Sequence, residues 1–148
     1  MAAIASEVEV AGRAEEVFSY VTDPSRFPEW QQGVVSGRME GGGTHGVGAK
    51  CITTRRIGGA ERAATSEVTE MSPPRRWAVR GLDGPIRAIV NVRVEPLSES
   101  AHSRVTIEVD FEGHGIGKLL VPLVVRRQAA KEMPENMKAL RERLESAG

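Results

Sequence analysis

Ile4, Ser6, Val8 and Val10 alternate with Ala3, Ala5, Glu7 and Glu9, which is the two-residue period of a strand with one buried face. The pattern then changes. Gly12 can start a helix whose first turn holds Glu15 and Glu16 at the positive end of the dipole, with Ala14, Val17, Phe18 and Val21 along one side. Asp23 followed by Pro24 is an N-cap with proline at the first helical position, so a second short helix is predicted to run to about Trp30.

Strand-like runs follow at 34–39, 49–57, 60–71, 77–81, 86–95 and 104–111, separated by the turn signals Gly58-Gly59, Pro73-Pro74, Gly84-Pro85 and the stretch 98–100. The last two runs are the clearest. Ile86, Ala88, Val90, Val92 and Val94 share one side of the first, and Val105, Ile107, Val109 and Phe111 share one side of the second. The opposite sides carry Arg87, Asn91, Arg93 and Glu95, then Arg104, Thr106, Glu108 and Asp110, as in an antiparallel meander wet on one face.

From about 115 to 147 the period becomes 3.6. Leu119, Leu123, Arg126, Ala130, Met133, Met137, Leu140 and Leu144 recur at alternating spacings of four and three, so one long helix with an apolar stripe is predicted across the sheet. Pro134 removes a backbone bond at a usual cost of about 3 kcal/mol, and a kink is expected near Ala130 to Met133.

The stretches VFSYVTDPSRFPEW, MSPPRRW, GLDGPIRAIVNVRVEPL and RRQAAKEMPENMKALRERLE, in that order and covering nearly the whole chain, resemble the polyketide cyclase/dehydrase-like branch of the START-like helix-grip (SRPBCC) superfamily. The resemblance implies a single α+β domain over residues 1–148, with a curved antiparallel sheet wrapped around a long C-terminal helix. Two short N-terminal helices close one end, and a largely apolar cavity lies between helix and sheet. It implies less about activity, because such relatives include aromatic polyketide cyclases, lipid and hormone binders and chaperone activators.

Lys plus Arg and Asp plus Glu number 20 each, a balance that supplies no long-range attraction to nucleic acid. The lone Cys51 cannot form an internal disulfide and fits a reducing compartment. The N-terminus carries Glu7 and Glu9 without an apolar run, and the most apolar window, 119–125, is too short for a bilayer. A cytoplasmic protein without stable membrane insertion is expected, either a monomer or a homodimer. The run Gly41-Gly42-Gly43-Thr44-His45-Gly46 matches a dinucleotide fingerprint only formally, since it precedes a strand, and Ala49 stands where a P-loop needs lysine. His45, His102 and His114 occupy separate turns with no zinc spacing, so neither metal nor cofactor is expected.

Chemistry must therefore come from the cavity. The chain has only six aromatic residues, and Ala60, Ala64, Ser66 and Ala88 are small inward candidates that either leave space beneath the helix or let it approach closely. Arg126 interrupts the apolar stripe, where it meets either a ligand carboxylate or phenolate, or a sheet carboxylate. Trp30 suits a pocket rim, and Trp77, Tyr20, Met71 and Ala88 are further lining candidates, each with core packing as the alternative. These residues predict a protein that binds a hydrophobic or aromatic small molecule, either as a cofactor-free cyclase or dehydratase using Arg126, Tyr20 and His114, or as a non-catalytic carrier. A chaperone-like partner-binding module is the third reading, and it requires an exposed apolar patch that the pattern does not show.

Overall fold

The computed structural model describes residues 3–40, 46–57, 59–97 and 101–146. Strand β1 (Ile4–Ala11) leads into helix α1 (Ala14–Val21), a 3-10 turn (Pro24–Arg26) and the single-turn helix α2 (Phe27–Trp30). Strands β2 (Val34–Met39), β3 (Lys50–Ile57), β4 (Ala60–Ser72), β5 (Arg76–Gly81), β6 (Ile86–Pro96) and β7 (His102–Gly113) follow. A continuous C-terminal helical element closes the order, made of α3 (Gly117–Leu120), a π-helical turn (Val121–Val125) and α4 (Arg126–Ser146).

The seven strands form one antiparallel sheet in the order β1-β7-β6-β5-β4-β3-β2. The chain's first strand thus lies beside its last, and the remaining strands step outward as a meander. Two register shifts, between Val34 and Ser36 and between Val68 and Glu70, bend the strands that carry them. This is the α+β helix-grip architecture. The alternation in β6 and β7 holds, with Val92 opposite Ile107 and Val94 opposite Val105, and all four are buried. Asp23 accepts the Ser25 amide at 3.0 Å, so the cap at Pro24 is in place.

The helix departs from its prediction at one end. Met133, Met137 and Leu140 are buried as the stripe requires, whereas Leu119 and Leu123 are 65% and 62% exposed. The cause is the π turn. A π turn holds one more residue than an α turn, which rotates everything before it by about 100° relative to the stripe. The irregularity lies at Pro122, while the α-helix is uninterrupted through Pro134. α4 packs against β1, α2 and α1. The glycine loop at 41–45, including His45, and the turn at 98–100 lie outside the described residues.

Candidate functional site

The pairing register decides which side chains face the helices. Cys51, Thr53 and Arg55 on β3 stand opposite Ser66, Ala64 and Arg62 on β4. Trp77 and Val79 on β5 stand opposite Val92 and Val90 on β6, and Ala88 stands opposite Phe111. Cys51, Trp77, Val79 and Val92 belong to the core shared with α1, α2 and α4, so this is the inner face. Thr53, Ala64, Ser66, Ala88, Val90 and Phe111 are only half-buried on it, which leaves small and apolar side chains between sheet and helix within reach of solvent.

The deep end of this face is aromatic. Phe27 packs edge-on against Trp30, with ring centroids 5.9 Å apart, and against Trp77 at 6.3 Å. Trp30 and Trp77 are 5% and 3% exposed, so Trp30 lies in the interior instead of at a rim. Both indole N–H groups are buried without a hydrogen-bond partner among the described residues. A buried donor left unmade costs about 1–3 kcal/mol, and such groups in native proteins mark places where water, an ion or a ligand completes the bonding.

Beside Trp30 lies the polar group that sequence reasoning missed. Arg55 donates from Nη2 to Gln31 Oε1 at 3.2 Å. Burial pulls its pKa below the usual arginine value, and Glu132 on α4 opposes that shift. Its direct cross-strand neighbour on the same face is Arg62. Arg62 is exposed, so of the two only Arg55 is desolvated on this face.

Of the residues singled out from the sequence, Trp30 and Trp77 meet at Phe27, whereas Arg126, Tyr20 and His114 are each placed against a carboxylate. Arg126 reaches Asp110 on β7 at 3.0 Å, beyond the point where β1 stops covering that strand, so it meets a sheet carboxylate as one of its two readings required. Tyr20 donates its hydroxyl to Glu29 at 2.7 Å and ties α1 to α2. His114 follows the same end of β7, 3.5 Å from Glu112, two residues along the strand from the partner of Arg126. Met71 is half-buried opposite Trp77, and Ala88 is half-buried on the inner face. The Cys51 thiol has its pKa pushed up by burial, which keeps it protonated and unreactive. Among the described residues no group of three or more His, Cys, Asp or Glu could hold a metal ion.

Tyr20 allows a direct test of this placement. Its pKa is pushed up to about 12, first by burial and then by the bond to Glu29, while Glu29 is held below the usual carboxylate value chiefly by that bond and further by Arg26. A raised phenol contributes stability that is complete below its ordinary value near 10 and is lost as pH rises toward about 12. A lowered carboxyl contributes above its ordinary value and loses that contribution as pH falls. Tyr20 is the chain's one tyrosine, so ultraviolet titration reports it alone. Ionisation is expected near pH 12, moving toward 10 in Glu29→Gln; a wild-type transition near 10 would show that the hydroxyl is open to solvent.

Two hollows also open on the outer face of the sheet. One, of about 260 Å³, is lined by Glu70, Arg76, Asn91, Arg93 and Glu108, and the other, of about 240 Å³, by Glu67, Thr69, Arg80, Leu82 and Arg87. The charged side chains that line them are solvated, and a pair such as Arg80 with Glu112 at 3.5 Å is worth little.

The sequence profile of a family described as polyketide cyclase/dehydrase and lipid transport matches residues 1–145. No curated protein matches the chain. Among solved structures, a protein of Thermus thermophilus superposes with a TM-score of 0.77 at 19% identity, covering 99% of each chain. A START superfamily protein from Mycobacterium smegmatis gives 0.72 at 18%, covering 100% of both. The di-domain ARO/CYC BexL of the BE-7585A biosynthetic pathway gives 0.72 at 18% over 96% of this chain, which spans only 46% of that longer one.

Proposed function

Since the chain belongs to the polyketide cyclase/dehydrase and lipid transport family, we propose that it binds a hydrophobic or aromatic small molecule carrying an anionic oxygen, held between the inner face of β3 to β6 and α4. The observation that carries this reading is the pair of buried, unpartnered indole donors of Trp30 and Trp77, both packed on Phe27, with the desolvated Arg55 bonded to Gln31, the residue after Trp30. Apolar walls with a few convergent polar groups are the common form of a small-molecule site. Here the walls are Phe27, the two tryptophans, Ala64 and Ala88. Arg55 replaces Arg126 as the anchor, because Arg126 is already engaged by Asp110. Binding without chemistry is favoured over cyclisation, since Arg126 and His114 are each placed against a carboxylate at the end of β7 and the Tyr20 hydroxyl, held by Glu29, is too weak an acid for proton transfer at neutral pH.

The test is a titration of wild type and Arg55→Met with a naphthalene carboxylate and its matched carboxamide, followed by tryptophan emission. The variant is expected to lose about 1.5–3 kcal/mol of affinity for the acid, the worth of a hydrogen bond to a charged group, and little for the amide. Equal binding of both compounds to both proteins would remove Arg55 from the site. Failure of either compound to bind the wild type at millimolar concentration, with its tryptophan emission unchanged, would remove the site itself.

A further inference from the structure

Large apolar side chains exposed on the sheet side, such as Val35 at 40% and Val47 at 69%, stand singly, as is ordinary for a protein surface. Those of the C-terminal element do not. Ile116, Leu119, Leu123 and Val124 are between 55% and 65% exposed and fall within nine consecutive positions. Their grouping follows from how this segment is seated. Gly117 and Val121, four residues apart, are the buried positions, and Gly117 meets the Pro85 carbonyl of the β5–β6 turn so closely that a side chain there would collide with it. With that side fixed against the turn, the opposite side presents Leu119 and Leu123 to solvent, flanked by Ile116 and Val124. The expectation that no exposed apolar patch exists is therefore corrected, and the π turn is its physical reason.

The charge carried by the segment itself has one sign. From Gly113 to Lys131 the sequence contains no Asp or Glu but holds Lys118, Arg126, Arg127 and Lys131, in a chain whose acidic and basic residues balance overall. The acids of the adjoining strand face other partners: Asp110 takes Arg126, and Glu112 takes Arg80 and His114. Lys118 and Arg127 are exposed at the border of the apolar group.

We propose that the segment 116–124 docks on the surface of an anionic lipid bilayer, its apolar side chains entering the headgroup and acyl boundary while Lys118 and Arg127 lie at the level of the phosphates. An apolar crown with a cationic border is the pattern of interfacial helices that lie on membranes. The segment does not span: no helix of the described residues is long and apolar enough to cross a bilayer. A second copy of the chain fits worse. A two-fold contact through this patch would set Lys118 and Arg127 against their own counterparts, and nine residues fall well short of the roughly 800 Å² per partner of a stable interface.

Co-sedimentation of the full chain with vesicles tests this, using phosphatidylcholine alone and phosphatidylcholine with about a third phosphatidylglycerol. Binding is expected to the anionic vesicles, to weaken with added salt, and to fall at least about tenfold both in Leu119→Asp/Leu123→Asp and in Lys118→Glu/Arg127→Glu. All four positions are exposed, so circular dichroism should show unchanged folding, and the charge-reversal pair provides the answer if the aspartates disturb the helix. Absence of wild-type binding to anionic vesicles, equal binding to neutral ones, or binding retained in the charge-reversed protein would overturn the proposal. So would sedimentation velocity showing a dimer that Leu119→Asp dissociates, since the patch would then serve self-association.

Discussion

Replacing Leu140 with alanine should destabilise the protein by about 2–5 kcal/mol in chemical denaturation, whereas Arg141→Ala should change stability by less than about 0.5 kcal/mol. The two are sequence neighbours on one helix and differ in the direction they face. Leu140 is 0% exposed and joins Met133 and Met137 in the core that α4 shares with the sheet. Truncating it removes the transfer energy of three carbon atoms and leaves a hole that surrounding groups, fixed by an antiparallel sheet, fill only in part. The Arg141 side chain is 57% exposed, and its contact with Glu145 at 3.4 Å is of the surface kind worth a few tenths of a kcal/mol. Equal losses at both positions would mean that the phase of α4 is wrong.

The elements whose two faces meet different media were legible in the sequence. β6 and β7 alternate strictly because one side packs and the other is wet, and the same rule read β1 and placed Met133, Met137 and Leu140. The start of the C-terminal element was not legible. A periodic stripe can be extended only while the turn stays constant, and the extra residue of the π turn at Val121–Val125 breaks that condition without any hydrophobic signal of its own. Pro122 was the available cue, since it cannot donate a backbone bond. Pro134 shares that defect, yet the α-helix continues through it.

The site was read less well for a related reason. Thr53, Thr54, Arg55 and Arg56 contain two like pairs, so no hydrophobic alternation tells which arginine points inward; only the register opposite Ser66, Ala64 and Arg62 does. Arg126 stands out in the sequence because it interrupts a stripe, but the interruption marks the place where the helix has already turned its face toward the edge of β7. Trp30 and Trp77 stand out for their chemistry, as rings that combine apolar bulk with one donor. What could not be read was that each donor would be enclosed without an acceptor, because that depends on three-dimensional packing around Phe27.

Those donors make the second large prediction. Trp77→Ala should cost about 3–5 kcal/mol, the usual loss for a buried indole, because Trp77 is 3% exposed and packs against Phe27. Trp77→Phe should cost less than half as much. It keeps a ring against Phe27 and removes a buried donor that carries a penalty of about 1–3 kcal/mol when unpaired, so part of the lost volume is offset. The ligand should experience the reverse ranking of concerns: a molecule with an acceptor oxygen at this position loses a hydrogen bond in Trp77→Phe even though the protein itself loses less than half of what Trp77→Ala costs. Denaturation curves of the three proteins, taken with and without the naphthalene carboxylate, separate the two effects, since a ligand that binds only the folded state raises its stability by RT ln(1 + L/Kd), with L the free ligand concentration. A phenylalanine variant as unstable as the alanine one would show that the indole N–H is satisfied in solution, and the argument for an acceptor-bearing ligand at Trp77 would fall with it.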